Sequence, residues 1–298
     1  MTRVQVLMST YNGERYLEEQ LESLFTQEDV EVDLLVRDDG STDATLDILE
    51  RYKKKGLLNY YTGENLKPAR SFMNLVKHAG GADYYAFCDQ DDVWEEDKLS
   101  AGVNALKEHT TPALYMSAAK IVDQDLNLIE IHKIPTYNTL ENAMIKNETI
   151  GCTMVFNDAL LKVIQRYEPK FIKMHDSWIT RVAHSIGAYV YVDKNAYIKY
   201  RQHEDNVLGM KEPKVKKILG QIHTAFFDHV RIRQNIANEL LNGYMDMMTP
   251  HALELITAFS DYPTNRDSMK YLLHDPDLKT PYEKINKRIR LAIRLKKF

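Results

Sequence analysis

Residues 84–92 read YYAFCDQDD, an apolar run that ends in three carboxylates within four residues. The same pattern occurs twice earlier: apolar residues 4–8 precede STYNG at 9–13, and residues 33–37 precede DDGSTD at 38–43. Short apolar runs bounded by turn-forming residues predict buried strands. In an α/β sheet, ligands bind beyond the carboxyl ends of the strands. The pattern therefore predicts a sheet with one polar, ligand-binding edge.

Helix-like segments separate these strands. Leucines recur at helical spacing within residues 12–26, and residues 41–43 (STD) offer N-caps for a second helix. A third strand at residues 58–61 precedes a helix at residues 68–78. Strands that alternate with helices predict a mostly parallel sheet covered on both faces.

The pattern is less regular beyond residue 113. Short strands mix with helical segments, and the strand candidates are residues 114–117, 153–156, 189–192 and 197–200. Residues 214–242 are typical of a long helical stretch, and helical periodicity continues to residue 298. The sequence therefore predicts an α/β domain over residues 1–210 and a helical region over residues 211–298.

The composition of the 298 residues is that of a well-cored, soluble protein. Hydrophobic residues make up 44% and charged residues 28%, which argues against a disordered or collagen-like chain. Cys88 and Cys152 are the only cysteines, so we expect no disulfide framework and a reducing compartment. The first apolar run is too short for a secretory signal, and no stretch reaches the roughly 18 apolar residues of a spanning helix. We therefore expect a cytoplasmic protein.

Charge is distributed unevenly along the chain. The net charge is −4, yet residues 284–298 read KINKRIRLAIRLKKF and contain seven of the 39 basic residues and no acid. The rest of the chain carries 32 basic against 43 acidic residues, which argues against nucleic-acid binding across its main surface. Isoleucines at helical spacing among basic residues are typical of an interfacial amphipathic helix. We expect this tail to bind an anionic membrane surface; the alternatives are packing on the acidic body of the protein and a disordered end.

The polar segments after the strands have specific chemical uses. Asp38 or Asp39 could accept hydrogen bonds from a base or a ribose, and carboxylates of residues 89–92 could hold a hard divalent cation. Three carboxylates in four residues repel one another unless a cation or solvent compensates their charge. The structural alternatives are a turn with a helix N-cap for residues 38–43 and a solvated helix start for residues 89–92.

In combination and in this order, the motifs resemble those of the family 2 inverting glycosyltransferases, which have the GT-A fold. The matching segments are residues 9–12 (STYN), 38–43 (DDGSTD), 69–70 (AR), 89–92 (DQDD), 175–176 (HD) and 200–203 (YRQH), with Asn206. Residues 151–157 (GCTMVFN), followed by HDSW at 175–178, look more like the bacterial rhamnosyltransferase-type branch. The resemblance implies an α/β GT-A catalytic domain, a Rossmann-like mixed sheet with helices on both faces, and a C-terminal helical extension.

The resemblance also implies a nucleotide-sugar site. The residues carried over to it are Thr10, Tyr11, Asn12, Asp39, Arg70, Asp89 and Gln90. Thr10, Tyr11 and Asp39 would line the base pocket. Asp89 would contact the ribose or the sugar, and Arg70 would approach the nucleotide or its phosphates.

A metal site and a catalytic base follow from the same resemblance. Asp91 would bind Mg²⁺ or Mn²⁺, His203 would complete the metal or diphosphate site, and Asp176 would be the base that activates the acceptor. Taken alone, His203 could be a surface-loop residue and Asp176 a helix N-cap. The family often has Asn-x-Gly before the Ala-Arg pair, whereas this chain has NLK at residues 65–67. We expect the side chain of Lys67 to face solvent.

The implied activity is sugar transfer from a nucleotide diphosphate donor to a glycan or lipid-linked glycan. We expect dTDP-rhamnose as the donor first and a UDP-sugar second, with the enzyme peripheral at the inner face of the plasma membrane. Residues 214–245 could pack on the catalytic core or form a homodimer. A nucleotidyltransferase is one alternative, although residues 9–15 are not the Gly-rich phosphate loop such an enzyme usually has. A catalytically silent nucleotide-sugar binder in an assembly is the other.

Overall fold

A mixed β-sheet with helices on both faces organises the chain. The structure is a computed structural model that describes residues 1–135, 138–145, 149–203, 232–280 and 282–298. The strands are β1 Thr2–Thr10, β2 Val30–Asp38, β3 Asn59–Thr62, β4 Tyr84–Cys88, β5 Val93–Trp94, β6 Ala113–Val122, β7 Leu128–His132, β8 Val155–Asn157 and β9 Tyr189–Arg201. The helices are α1 Leu17–Phe25, α2 Thr45–Lys54, α3 Lys67–His78, α4 Lys98–Leu106, α5 Leu140–Ile145, α6 Asp158–Gln165, α7 His175–Ser185, α8 Ile232–Tyr244, α9 Pro250–Asp261, α10 Arg266–His274 and α11 Glu283–Arg294.

The strand order brings the polar segments to one edge. Across the sheet the order is β3-β2-β1-β4-β8-β6-β9-β5, and β7 pairs with β6. The first four strands are parallel, β8 is antiparallel to both β4 and β6, β9 is parallel to β6 and β5 is antiparallel to β9. The parallel prediction holds for the first four strands, and the reversed strands make the sheet mixed, as the GT-A resemblance implied. The carboxyl ends of β1, β2 and β4 therefore lie side by side.

Two hydrophobic layers cover the sheet. On β1, Val4, Val6 and Met8 enter the layer that contains buried residues of α1, α2 and α4, whereas Leu7 enters the opposite layer. This alternation follows from the two-residue side-chain period of a strand. The second layer contains buried residues of α3, α6 and α7, and it continues into α8–α11. The C-terminal helices thus share a core with one face of the sheet.

Several predicted boundaries differ from the structure. The strands predicted at residues 33–37 and 114–117 are longer, Val30–Asp38 and Ala113–Val122. The helix predicted over residues 12–26 begins at Leu17, because the preceding residues form a loop in which Asn12 is left-handed (φ 47°). The strands predicted at residues 189–192 and 197–200 are one strand, β9, since β6 pairs with both halves across an irregular register. The strand predicted from residue 153 begins at Val155, because Gly151–Thr153 form a 3-10 turn.

The described part of the C-terminal region is helical, as predicted. The long helix predicted over residues 214–242 is observed as α8 from residue 232; its earlier part, the domain boundary near residue 210 and Asn206 lie outside the described residues. Ile289 and Ile293 of α11 are buried in the second layer, so this part of the predicted membrane-facing stripe packs on the protein instead. Within the described ranges, every helix falls short of the length and apolar character needed to cross a bilayer.

Candidate active site

Side-chain hydrogen bonds join the loops after β1 and β2. The Thr10 hydroxyl donates to the buried Asp38 carboxylate over 2.9 Å, and the same carboxylate accepts from the Ser41 backbone N–H over 2.8 Å. The Asn12 side-chain oxygen accepts from the Thr42 backbone N–H, also over 2.8 Å. Thr10 and Asn12 therefore lie at the predicted strand end. In this structure their side chains position the two loops relative to each other.

Asp39 is held from two sides at the end of β2. It is 3% exposed, it forms an ion pair with Arg37, and its Oδ2 accepts from the Leu66 backbone N–H over 3.0 Å. Arg37 in turn donates to the Glu64 carbonyl over 3.0 Å. The loop that orients Asp39 ends at Lys67, whose side chain is exposed, as predicted. The backbone of Lys67 is left-handed (φ 65°), the conformation that glycine adopts most easily.

Two hydrogen bonds from the Gln90 side chain connect the loop after β4 to the loop after β1. Its Oε1 accepts from the Tyr11 backbone N–H over 2.8 Å, and its Nε2 donates to the Tyr11 carbonyl over 3.1 Å. This close approach requires Gly13, because a Cβ there would lie 2.4 Å from the Gln90 Oε1. The Tyr11 residue is 47% exposed, so its ring is open to a ligand while its backbone is fixed.

Arg70 lies in the first turns of α3, next to the end of β1. The following residue, Ser71, places its hydroxyl 2.6 Å from that of Ser9, which ties this turn to the sheet edge. The exposed Arg70 guanidinium donates to the Lys170 carbonyl over 2.8 Å. Arg70 thus lies at the rim of the site and bonds to the segment that precedes α7.

Asp91 and His203 meet because β5 pairs with β9. The antiparallel register Val93↔Lys199 brings the residues before β5 beside the end of β9. Arg201 reinforces this arrangement, since its Nε donates to the Asp91 carbonyl over 2.8 Å. The His203 Nε2 lies 2.7 Å from the Asp91 Oδ2, with only 11% of the histidine side chain exposed. His203 is therefore not a solvated loop residue, which was the alternative.

Several carboxyl groups share this region, and their ionised forms repel one another. Burial, together with the negative charges of Asp91 and Asp176, raises the pKa of Asp89 to about 7. Burial, followed by repulsion from Asp91, also raises the pKa of Asp92 well above its usual range. Asp92 is 0% exposed. Mutual repulsion of this kind favours the binding of a cation.

A buried lysine and a buried thiol lie beneath these acids. The Lys98 Nζ sits 3.4 Å from the centroid of the Trp94 ring, and burial lowers its pKa to about 7. Ligand atoms of Cys152, Asp89 and Asp92 lie within 4.8 Å of one another. Burial keeps the Cys152 thiol protonated by raising its pKa well above the ordinary value, and a neutral thiol is a poor metal ligand. The Asp91 and His203 pair offers oxygen and nitrogen donors that suit Mn²⁺ or Mg²⁺ better.

Asp176 lies in the first turn of α7. The helix begins at His175 with Met174 as its N-cap, so the alternative in which Asp176 caps the helix is wrong. Burial raises the pKa of Asp176 to about 6, although hydrogen bonds from the Ser177 and Gly151 backbone oppose this shift. His175 is buried against Phe72, with ring centroids 3.9 Å apart, and its pKa falls to about 3 through burial. The base candidate is therefore flanked by a neutral imidazole.

Sequence reasoning assigned no role to three charged residues that support the site. Arg37 orients Asp39, Arg201 anchors the loop that contains Asp91, and Lys98 lies beneath the acids. Arg37 directly precedes the DDGSTD motif, and Arg201 lies within the YRQH motif. Their positions in the sequence could therefore have indicated a role in the site. A lysine within an amphipathic helix gives no such signal, because its burial depends on the packing of α4 against β6 and β8.

Residues 5–164 match the family described as glycosyl transferase family 2. The dTDP-rhamnosyl transferase RfbG of Shigella flexneri is 29% identical over 226 residues, which cover 68% of this chain and 73% of RfbG. The poly(ribitol-phosphate) β-N-acetylglucosaminyltransferase TarS of Staphylococcus aureus is 25% identical over 287 residues, 92% of this chain and 47% of TarS. The chain thus spans about half the length of TarS.

Solved structures show the same fold. The crystal structure of TarS residues 1–349 with UDP-GlcNAc has a TM-score of 0.60 at 21% identity, covering 98% of this chain and 79% of that one. The mannosyltransferase PcManGT of Pyrobaculum calidifontis, in complex with GDP-Man and Mn²⁺, has a TM-score of 0.55 at 18% identity. The alignment covers 99% of this chain and 86% of PcManGT. The family match covers more than half of the chain and agrees with the fold. The chain is a glycosyltransferase of family 2, with a GT-A architecture.

Proposed function

We propose that this enzyme is an inverting, metal-dependent glycosyltransferase of bacterial surface polysaccharide synthesis. It would move a sugar from a nucleoside diphosphate donor to a hydroxyl group of a glycan or lipid-linked glycan. The observation that carries this proposal is the grouping of the base candidate Asp176 with Asp89 and Asp91. The charges of Asp91 and Asp176 both contribute to the raised pKa of Asp89, so the three carboxyl groups lie close to one another.

Asp91 and His203 are the residues that would hold the divalent cation. When bound, Mn²⁺ or Mg²⁺ neutralises the charge that develops on the departing diphosphate. Arg201 holds the Asp91 backbone, and Gln90 holds the neighbouring loop. These contacts support the proposal, because they would hold the two cation ligands in a fixed position. Asp89 would contact the ribose or sugar, and Arg70 would approach the phosphates from the rim.

Asp176 would remove the proton from the acceptor hydroxyl. With a pKa of about 6, it is largely ionised at neutral pH and more basic than an ordinary carboxylate, which suits a general base. Attack by the acceptor on the face opposite the leaving group is a single displacement and inverts the anomeric centre. An enzyme nucleophile is not required, and both cysteines are buried.

The donor is proposed to be dTDP-rhamnose first and a UDP-hexose second. The similarity to RfbG, named a dTDP-rhamnosyl transferase, supports the first. The likeness to a TarS structure with UDP-GlcNAc supports the second. Thr10, Tyr11 and Asp39 would form the base pocket, with the exposed Tyr11 ring available for stacking. A carboxylate at Asp39 can accept a hydrogen bond from the ring N–H of either thymine or uracil.

A panel of nucleotide sugars tests the reaction class. Each donor is incubated with Mn²⁺ or Mg²⁺, with and without lipid-linked acceptor, and release of nucleoside diphosphate is measured. Release from one donor that is lost in both Asp91→Ala and Asp176→Ala establishes the reaction and names the donor. The anomeric configuration of the product, determined by NMR coupling constants, tests inversion.

The same panel separates the alternatives. Tight donor binding without turnover with any acceptor would support the catalytically silent binder. Release of pyrophosphate from a nucleoside triphosphate would indicate a nucleotidyltransferase instead. The homodimer stays a prediction, because most of the segment on which it was based lies outside the described residues.

A further inference from the structure

Helix α11 has two apolar faces with different environments. On the inner face, Ile289 and Ile293 are buried in the second hydrophobic layer. On the outer face, Leu291 and Leu295 are 50% and 51% exposed. These two leucines are four residues apart, so they stand one above the other on the same side of the helix. The inner face explains why the helix packs on the protein, and the outer face is left without a partner in the described structure.

Contacts after the helix fix its orientation. The Tyr262 hydroxyl donates to the Phe298 carbonyl over 2.9 Å and accepts from the Phe298 backbone N–H over 3.0 Å. The Arg233 guanidinium lies 4.1 Å from the centroid of the Phe298 ring. Phe298 itself is 5% exposed. The tail is therefore an ordered part of the fold, and the outer leucines point away from the core.

Basic side chains surround the two outer leucines. The exposed basic residues of the segment are Lys284, Lys287, Arg288, Arg290, Arg294, Lys296 and Lys297. Six of them, all but Lys297, make no ion pair with an acid in the part of the chain that the structure describes. The helix therefore does not pack on the protein through its charges. Its outer face keeps its positive charge and two leucines available.

We propose that the outer face of α11 docks on an anionic lipid bilayer. We call this face, defined by Leu291, Leu295 and the surrounding basic residues, the tail face. Its positive charge complements anionic headgroups, and its leucines gain by entering the boundary between headgroups and acyl chains. A soluble polyanion would match the charge but would offer no hydrocarbon to the leucines. The inference is independent of the proposed reaction, because it depends only on α11 and its surroundings.

Flotation of the full chain with vesicles tests the proposal. Vesicles of phosphatidylcholine with and without phosphatidylglycerol are compared, at low and high salt. We expect the protein to float with the anionic vesicles and to be released by salt. Replacing three basic residues, as in Lys287→Gln/Arg288→Gln/Arg294→Gln, should lower the partition coefficient about 100-fold.

Two further variants make the test specific. Leu291→Ser/Leu295→Ser keeps every charge and should lower partitioning by roughly tenfold or more. Lys53→Gln/Lys54→Gln/Lys55→Gln removes the same number of charges from the exposed end of α2 and should change partitioning little. Because all eight side chains are exposed, the variants should fold, and circular dichroism checks this.

Three results would overturn the proposal. The first is no flotation of the wild-type chain with anionic vesicles. The second is an equal loss in the α2 control, which would indicate a general effect of net charge. The third is unchanged partitioning of the leucine variant, which would indicate a site for soluble polyanions instead.

Discussion

The polar edge of the sheet contains two regions in which the carboxyl groups have different environments. In the loops after β1 and β2, Asp38 accepts hydrogen bonds from Thr10 and from the Ser41 side chain and backbone, and Asp39 has a guanidinium partner. In the loop after β4 and at the start of α7, burial raises the pKa values of Asp89, Asp92 and Asp176. The carboxylates of the first region are stabilised by partners within the protein, whereas ionisation of those in the second region is disfavoured.

This difference suggests a separate function for each region. Satisfied hydrogen bonds give the first region a fixed shape without any ligand, which suits recognition of a rigid base and ribose. In the second region, the ionised carboxylates repel one another, and a bound cation would relieve this repulsion. We therefore expect substitutions in the second region to affect chemistry and metal affinity. Substitutions in the first should affect donor affinity or stability.

The largest effect is expected at Asp176. Asp176→Asn keeps the shape of the side chain but cannot take a proton, so kcat should fall about 10²–10⁴-fold while donor affinity changes little. Initial rates and calorimetric titration with the active donor measure the two quantities. Asp246→Asn, at an exposed ion pair with Arg166, is the control. A variant at Asp176 with the wild-type rate would remove this residue from the mechanism.

The metal site should give the next largest effect. Asp91→Asn and His203→Gln should each weaken Mn²⁺ binding, by about 10–100-fold if both groups act on the cation. The rise in the thermal unfolding midpoint with added Mn²⁺ measures affinity without a need for activity. Asp277→Asn, on the exposed surface, should behave as the wild type. Unchanged Mn²⁺ affinity in both site variants would place the cation elsewhere.

Activity should depend on pH through Asp176. Burial raises the pKa of this carboxyl group to about 6, and only the ionised form can accept a proton. Activity is therefore present above this pKa, and kcat/KM should fall about tenfold per pH unit below it. A pH–rate profile at saturating Mn²⁺ provides the test. A flat profile down to pH ~5 would contradict the assignment.

Gln90 should control donor affinity, because it connects the loop after β4 to Tyr11 in the first region. Gln90→Ala removes two hydrogen bonds to the Tyr11 backbone, each worth about 1 kcal/mol, so the KM for the donor should rise roughly tenfold with a smaller change in kcat. Gln165 is a matched control, because its amide also donates to two backbone carbonyls, those of Val76 and Ala79. Gln165→Ala should lose stability without a change in KM. If both variants shift KM equally, the effect of Gln90 is merely structural.

The smallest effect concerns Lys67, at the boundary of the first region. Its left-handed backbone (φ 65°) is strained for a side chain with a Cβ, so Lys67→Gly should raise the free energy of unfolding by about 0.5–1 kcal/mol. Lys77→Gly, in the last turn of α3, should lower it by about 1 kcal/mol. Urea unfolding measures both changes. Destabilisation by both substitutions would show that strain at Lys67 is not relieved by glycine.

Much of this molecule was determined by local sequence. The apolar runs at residues 4–8, 33–37 and 84–88 are strands because they are short, apolar and bounded by turn-forming residues. Their polar ends meet because parallel neighbours end at the same edge. The order of the motifs was enough to indicate the family and its fold, and the match over residues 5–164 confirms this.

Only the tertiary structure decided which side chains meet. The contact of Asp91 with His203 joins residues 112 positions apart and depends on the pairing of β5 with β9. The burial of Lys98 and the raised pKa of Asp176 depend on neighbours from other elements, which no local pattern records. The same holds for α11: the sequence determined an amphipathic basic helix, but packing decided that its isoleucines face the core and its leucines face outward. Local periodicity fixes the angle between side chains on one element, whereas burial is a property of the whole assembled core.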